Sequence, residues 1–180
     1  MLQDTPACGK CLVEPSIAHR CIAAFHYQYP VDALIKQLKY RQCIRLATPL
    51  TRILALRLAQ SATPFPEVMI PVPLHRARLY RRGFNQSMEI CRLLERRLHI
   101  PVDTAGVIRI KPTRPMFDLN ASERRENIAD AFSLTRPLNY QSVAIVDDVI
   151  TSGSTVNELA RLLRDAGVAK IVLWALARTQ

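Results

Sequence analysis

The chain has no long apolar run. Its longest, Ile171 to Ala177, is the length of a strand and falls well short of the roughly 20 residues that a helix needs to cross a bilayer, so no membrane insertion is expected. The start, Met1-Leu2-Gln3-Asp4-Thr5-Pro6, has neither a basic n-region nor an apolar h-region, and no secretion signal is read there. No internal repeat and no low-complexity segment is present. Aromatic residues are scarce at 6%, which leaves few platforms on which nucleobases can stack. The cysteines are odd in number and scattered (Cys8, Cys11, Cys21, Cys43 and Cys91), which argues against a disulfide framework and for a reducing, cytoplasmic setting.

What is present is a chain of 180 residues with 49% hydrophobic content, enough for one domain with a substantial core and a small appendage. The formal charge is +10 and the isoelectric point about 9.9, which favours anionic partners: phosphates, pyrophosphate or nucleic acid. The arginines are unevenly spread. Arg76, Arg78, Arg81 and Arg82 crowd one segment, and Arg92, Arg96 and Arg97 follow on the next helix.

Residues 1–30 read as an irregular N-terminal segment, and 31–180 as the main domain. The pattern predicts helices over Asp32 to Tyr40, from near Pro49 with Leu50, Ile53, Leu54, Leu58 and Ala59 as its apolar face, over Phe84 to Leu98, over Ala121 to Asp130, and over Thr155 to Ala166 with Gly167 beyond its end. Strands are predicted over Glu67 to Val72, within Pro101 to Ile110, over Ser142 to Asp147 and over Ala169 to Ala177. Lys111 to Asn120, with Pro112 and Pro115, reads as a mobile loop. Strand and helix alternate from Glu67 onward, which predicts an α/β fold: a mostly parallel, twisted sheet with helices on both faces.

The densest chemistry lies in Val143-Ala144-Ile145-Val146-Asp147-Asp148-Val149-Ile150-Thr151-Ser152-Gly153-Ser154-Thr155. An apolar run fits a strand covered on both faces. Two carboxylates then leave its carboxyl end, where open α/β sheets bind ligands, and can accept hydrogen bonds from vicinal ribose hydroxyls. The stretch from Thr151 to Thr155 offers backbone N–H groups, hydroxyls and the positive end of a helix dipole, all suited to a phosphate dianion. A second cluster, Pro71 to Gln86, also follows a strand's carboxyl end and should face the same crevice. By itself it reads equally well as a solvated basic turn. Its arginines can also grip a pyrophosphate bidentately.

The first string resembles the 5-phosphoribosyl-1-pyrophosphate (PRPP) signature of type I phosphoribosyltransferases. Together with "IPVPL", "RRGFNQ" and the final "LWALART", it makes the chain similar to the ComF family, competence-associated proteins with a phosphoribosyltransferase-like fold. The likeness runs from about Cys8 to Thr179, through Arg109, Thr113, Pro115, Leu119, Arg124, Asn127 and Ala131-Phe132; Met116 stands where the family usually has Gln. The resemblance implies that Asp147, Asp148, Val149, Thr151, Ser152, Gly153, Ser154 and Thr155 bind ribose and 5-phosphate, with Asp147 and Asp148 as the catalytic pair. It assigns Leu74, His75, Arg76 and Arg82 to pyrophosphate, and Arg109, Arg124 and Arg125 to a mobile loop that closes over PRPP and excludes water. Magnesium would arrive with PRPP.

Enzymes acting on 6-oxopurines usually carry an aspartate where Thr151 stands, so a hypoxanthine-guanine enzyme is disfavoured and the acceptor base is unidentified. ComF-like proteins often begin with paired Cys-x-x-Cys knuckles that bind zinc. Cys8-Gly9-Lys10-Cys11 matches one; Cys21, His19 or His26 would have to complete a zinc set, and the alternative is a vestigial, reduced knuckle. Two functions fit these residues: Mg-dependent transfer at the anomeric carbon of PRPP, and a module that handles incoming single-stranded DNA in natural transformation beside other competence-machinery proteins, for which Tyr27, Tyr29, Tyr40 and Tyr80 are the candidate stacking residues.

Overall fold

A computed structural model describes residues 18–40, 43–112 and 121–179. Among these residues, four parallel strands form the main sheet in the order β1-β6-β5-β2: β1 (Arg20–His26), β2 (Val68–Pro71), β5 (Ser142–Ile150) and β6 (Lys170–Arg178). The centre of the sheet is β5. Its Val143, Ala144, Ile145 and Val146 are all fully buried, as an apolar strand covered on both faces requires.

Alternation along each strand sends side chains to two cores. Ala144 and Val146 join Ile22, Met69 and Trp174 under α1 (Val31–Tyr40), α2 (Ala47–Ala59) and α4 (Gln86–Leu98). Val143 and Ile145 join Val68, Ile70, Ile171 and Leu173 under α6 (Ser154–Asp165), with Ile128 of α5 (Ala121–Ile128) at the margin. Helices therefore cover both faces. Each fully buried Leu or Ile, such as Leu54, Ile90, Leu159 or Leu163, contributes about 1.5–3 kcal/mol relative to exposure. No helix among the described residues is long and apolar enough to cross a membrane.

Four sequence expectations are corrected. Residues 20–26 are not irregular: they form β1, paired in parallel with β6 from Arg20↔Val172 to His26↔Arg178, so the main sheet begins before residue 31. The short run Cys21 to Phe25 carries no period of its own, and its partner lies at the other end of the chain. Within Pro101 to Ile110 the chain first meets the main sheet's edge by a single parallel bridge, Val102 opposite Met69 of β2, and its strand proper is β3 (Val107–Arg109), which pairs antiparallel with β4 (Phe132–Leu134), a strand the pattern did not predict, in a separate two-stranded sheet. Asp103 turns the chain between, its Oδ1 accepting from the N–H groups of Ala105 (3.1 Å) and Gly106 (2.8 Å).

The Arg-rich segment is not a loop but a two-turn helix, α3 (Arg76–Arg82). His75 caps it by accepting the Ala77 N–H at Nδ1 (3.3 Å), and Gly83 ends it in the left-handed region at φ 81°. On α2, Leu50, Leu54 and Leu58 face inward as expected, whereas Ile53 and Ala59 are exposed. The expected mobile loop lies largely outside the described residues, since 113–120 fall there.

Candidate functional site

The carboxyl ends of β2 and β5 lie side by side, with Pro71 opposite Val146 and the Val72 N–H donating to the Val146 carbonyl (2.9 Å). Each strand then delivers one of the two clusters read from the sequence, so they open onto a common crevice, as parallel neighbours must. Asn85 reinforces the junction. Its Nδ2 donates to the Val72 carbonyl (3.0 Å), while its Oδ1 caps α4 by accepting the Ser87 N–H (3.0 Å).

Beyond β5, residues 151–153 turn into α6. Gly153 makes the turn at φ 77°, a conformation L residues avoid, and as N-cap it offers no side chain; the side-chain acceptor at the helix start, Ser152 Oγ, lies a long 3.5 Å from the Ser154 nitrogen. The first N–H groups of α6 thus point into an open depression lined by Asp147 and residues 149–156. The Ser152 and Ser154 hydroxyls lie 2.9 Å apart at its rim. Thr179 holds the loop from below, its N–H donating to the Ile150 carbonyl (3.0 Å) and its Oγ1 to the Thr151 carbonyl (3.2 Å). Thr151 and Ser152 are exposed, Val149, Gly153, Ser154 and Thr155 half-buried, so the whole expected phosphate loop borders this depression.

The two carboxylates occupy different environments. Asp147 Oδ1 accepts from the Ser87 hydroxyl (2.9 Å) and from the Asp148 N–H (2.8 Å). Burial, and next the adjacent Asp148 charge, raise its pKa to about 7; Lys39 and these hydrogen bonds pull the other way. Asp148 is buried and ion-paired with Lys39, Nζ to Oδ1 at 2.9 Å. Burial alone would depress the Lys39 ammonium, but the Asp148 carboxylate outweighs it and holds the pKa above the usual lysine value.

The basic side is more ordered than a solvated turn. Arg82 Nη1 donates to Gln86 Oε1 (2.7 Å), tying α3 to α4. Leu74 and His75 are half-buried and Arg76 exposed. Arg109 does not ride on a mobile loop. It sits at the end of β3, buried, its guanidinium 5.5 Å from the Phe132 ring centroid. Burial and then the neighbouring Arg78 charge lower its pKa to about 10, with Asp147 opposing them. The Arg78 and Asp147 charges thus both act on the Arg109 guanidinium. The side chains of Arg124 and Arg125, on α5, lie outside the described residues.

Two participants carry no role in the sequence pattern: Lys39, near the end of an amphipathic helix, and Ser87, inside one; Arg78 belongs to the expected basic cluster. A weak signal existed for Ser87, which follows "FNQ" at a helix start. Nothing in the local pattern marks Lys39, because its partner is more than a hundred residues away.

Cys8 and Cys11, and with them the zinc knuckle, lie outside the described residues. Cys21 stands half-buried on β1, and the Ile171 N–H donates to His19 Nδ1 (3.3 Å). Among the described residues no group of three or more His, Cys, Asp or Glu is placed to hold a metal ion.

Residues 41–179 match the phosphoribosyl transferase domain. The chain is 39% identical over 176 residues to DNA utilization protein YhgH of Escherichia coli O157:H7, covering 96% of this chain and 78% of that protein. It is 39% identical over 178 residues to competence protein F of Haemophilus influenzae, covering 95% and 78%. Among solved structures, glutamine PRPP amidotransferase from B. subtilis aligns with 73% of this chain and 26% of its own, at 20% identity and a TM-score of 0.47. The domain match spans most of the chain and the two relatives extend over nearly all of it: the chain belongs to the phosphoribosyl transferase domain family, within the ComF group that holds YhgH and competence protein F.

Proposed function

We propose that this protein binds PRPP, as its magnesium complex, in the crevice between β2 and β5, and that it serves the handling of DNA during competence. The observation that carries the first part is the convergence of three chemistries at the ends of two adjacent strands. The N-terminus of α6, with Ser152, Ser154 and Thr155, suits the 5-phosphate. Asp147 and Asp148 suit the ribose hydroxyls. Arg78 and Arg109, with Leu74, His75, Arg76 and Arg82 beside them, suit the pyrophosphate. Magnesium enters with the substrate's own oxygens and waters.

At this site the protein's own work is positional. Acceptor carboxylates fix the sugar, helix N–H groups anchor its phosphate, and arginines spread the charge that develops on pyrophosphate as its bond to the anomeric carbon breaks. Thr151 is exposed and carries no carboxylate, so the site supplies no purine-directed proton acceptor there.

Calorimetric titration with Mg-PRPP tests the reading: saturable binding is expected, abolished by Asp147→Ala together with Asp148→Ala. Absence of binding to the wild-type chain would overturn it. A screen for pyrophosphate release across candidate acceptors then decides between transferase and binding protein.

The DNA role is supported by the names of the relatives and by one surface feature. Tyr80 is 94% exposed on α3, between the exposed Arg76 and Arg81. A bare ring on a helix that also exposes arginines suits stacking on a single strand. Labelled single-stranded DNA should bind with an affinity that falls steeply with salt, as counterions are released, and Tyr80→Ala should weaken it. A flat salt dependence would remove this reading.

A further inference from the structure

Lys39 stands apart from every other cation near the crevice. It comes from the last turn of α1, outside the segment after β2 that carries the arginine cluster, and its side chain is about four-fifths buried. A lysine in that position costs desolvation unless a partner repays it. The partner is Asp148, at 2.9 Å, itself buried. The groups that face the ammonium are Asp148 and Asp147 from β5 and Tyr27 from the segment after β1. Those that face Asp147 are Asp148, Lys39, the Ser87 hydroxyl and the buried Cys91 thiol of α4 and, more weakly, Arg109 of β3. Two carboxylates side by side in a low dielectric cannot both hold charge without a nearby cation.

We propose that Lys39 is a positioning residue for the sugar-phosphate site: its ammonium orients Asp148 and neutralises the carboxylate pair, so that the ribose hydroxyls meet an ionised acceptor. The inference rests on the PRPP reading and adds a residue to it. Lys39 touches no ligand in this role; it acts through Asp148. Its place on α1 also makes the site depend on a helix packed in the core by Ile35 and Leu38, both fully buried.

The test is calorimetry with Mg-PRPP on the full chain at about pH 7, comparing wild type, Lys39→Met and Lys39→Arg, each also on an Asp148→Asn background. Lys39→Met should weaken binding by about tenfold or more, the equivalent of at least one pKa unit on the pair. The loss should shrink as the pH is raised, because the aspartates then ionise unaided. Lys39→Arg should stay within a few-fold of wild type. On the Asp148→Asn background, Lys39→Met should add little, since the two residues act as a unit. Lys39→Gln keeps a donor without the charge and replaces the Met variant should that one fail to fold.

Wild-type affinity in Lys39→Met, or tighter binding, overturns the inference: the lysine would then be a spectator or a competitor for the site. A loss that ignores pH and persists unchanged on the Asp148→Asn background overturns it as well, because that is the mark of a packing role alone. A wild-type chain that does not bind Mg-PRPP sinks the sugar-phosphate reading and this inference with it, whereas wild-type binding with an unaffected Lys39→Met sinks this inference alone.

Discussion

Asp147 holds its carboxyl at a thermodynamic disadvantage that can be measured without any ligand. Its pKa rises from 3.8 to about 7 on folding, through burial and the Asp148 charge. Between those two values the folded state keeps a proton that the unfolded chain has released. Folding stability therefore falls as pH climbs through this window, and the whole deficit is present above about pH 7. The difference of roughly three pKa units, at about 1.36 kcal/mol each, sets an upper bound of about 4 kcal/mol. Asp147→Asn removes the charge and keeps the acceptor, since an amide oxygen can still receive the Ser87 hydroxyl and the Asp148 N–H. Urea unfolding of both proteins from about pH 4.5 to about pH 8.5 reads the effect of the carboxylate site, because groups remote from Asp147 cancel in the difference while Asp148 and Lys39, which interact with it, titrate as part of the same unit. At the acid end the variant should already lead by about 1 kcal/mol, because the unfolded carboxyl is mostly ionised there while the folded one keeps its proton. The variant should gain steadily toward neutrality and lead by up to about 4 kcal/mol at the alkaline end, while losing PRPP binding. A difference that is flat across the window, or a variant less stable at about pH 8, would refute the assignment of a buried, charge-strained carboxylate.

Two further outcomes follow from the same geometry. Gly153→Ala has room for its methyl group, whose nearest neighbour would be Asn157 Nδ2 at 3.7 Å, so its cost is conformational: about 1–2 kcal/mol in urea unfolding for holding alanine at φ 77°, with weaker phosphate binding by calorimetry as the loop shifts. Arg109→Met relieves the desolvation of a buried guanidinium and its repulsion by the Arg78 charge, so stability should change little by thermal unfolding; affinity for free pyrophosphate should drop by about tenfold or more, through loss of a charge-assisted donor worth about 1.5–3 kcal/mol.

Much of the fold is legible where hydrophobic period and end signals agree. The core of the strand Ser142–Ile150, the helix Ser154–Asp165 and Gly167 beyond it follow from local pattern, because a buried strand and a one-sided helix write their burial into consecutive residues; the strand's last three residues, past the expected end at Asp147, do not, since they are held by pairing with β6 rather than by an apolar run. β1 and β4 are invisible in the same pattern. Seven residues and three residues give no period to read, and each becomes a strand only by pairing with a distant partner. The helix over Arg76–Arg82 was masked by its own composition, since a run of arginines looks solvated whether or not it is helical.

The sequence alone determines the chemistry of the site: two carboxylates, a hydroxyl-and-glycine loop and a cluster of arginines, each tied to a strand's carboxyl end by its order in the chain. These are local facts, carried by neighbouring residues, and so they survive without coordinates. Only the tertiary structure decides how the charges are balanced. It brings Lys39 to Asp148, Ser87 to Asp147, and Arg109 beneath Phe132 and beside Arg78. Those contacts join segments far apart in the chain, and their strength comes from burial, which depends on the packed whole rather than on any stretch of residues.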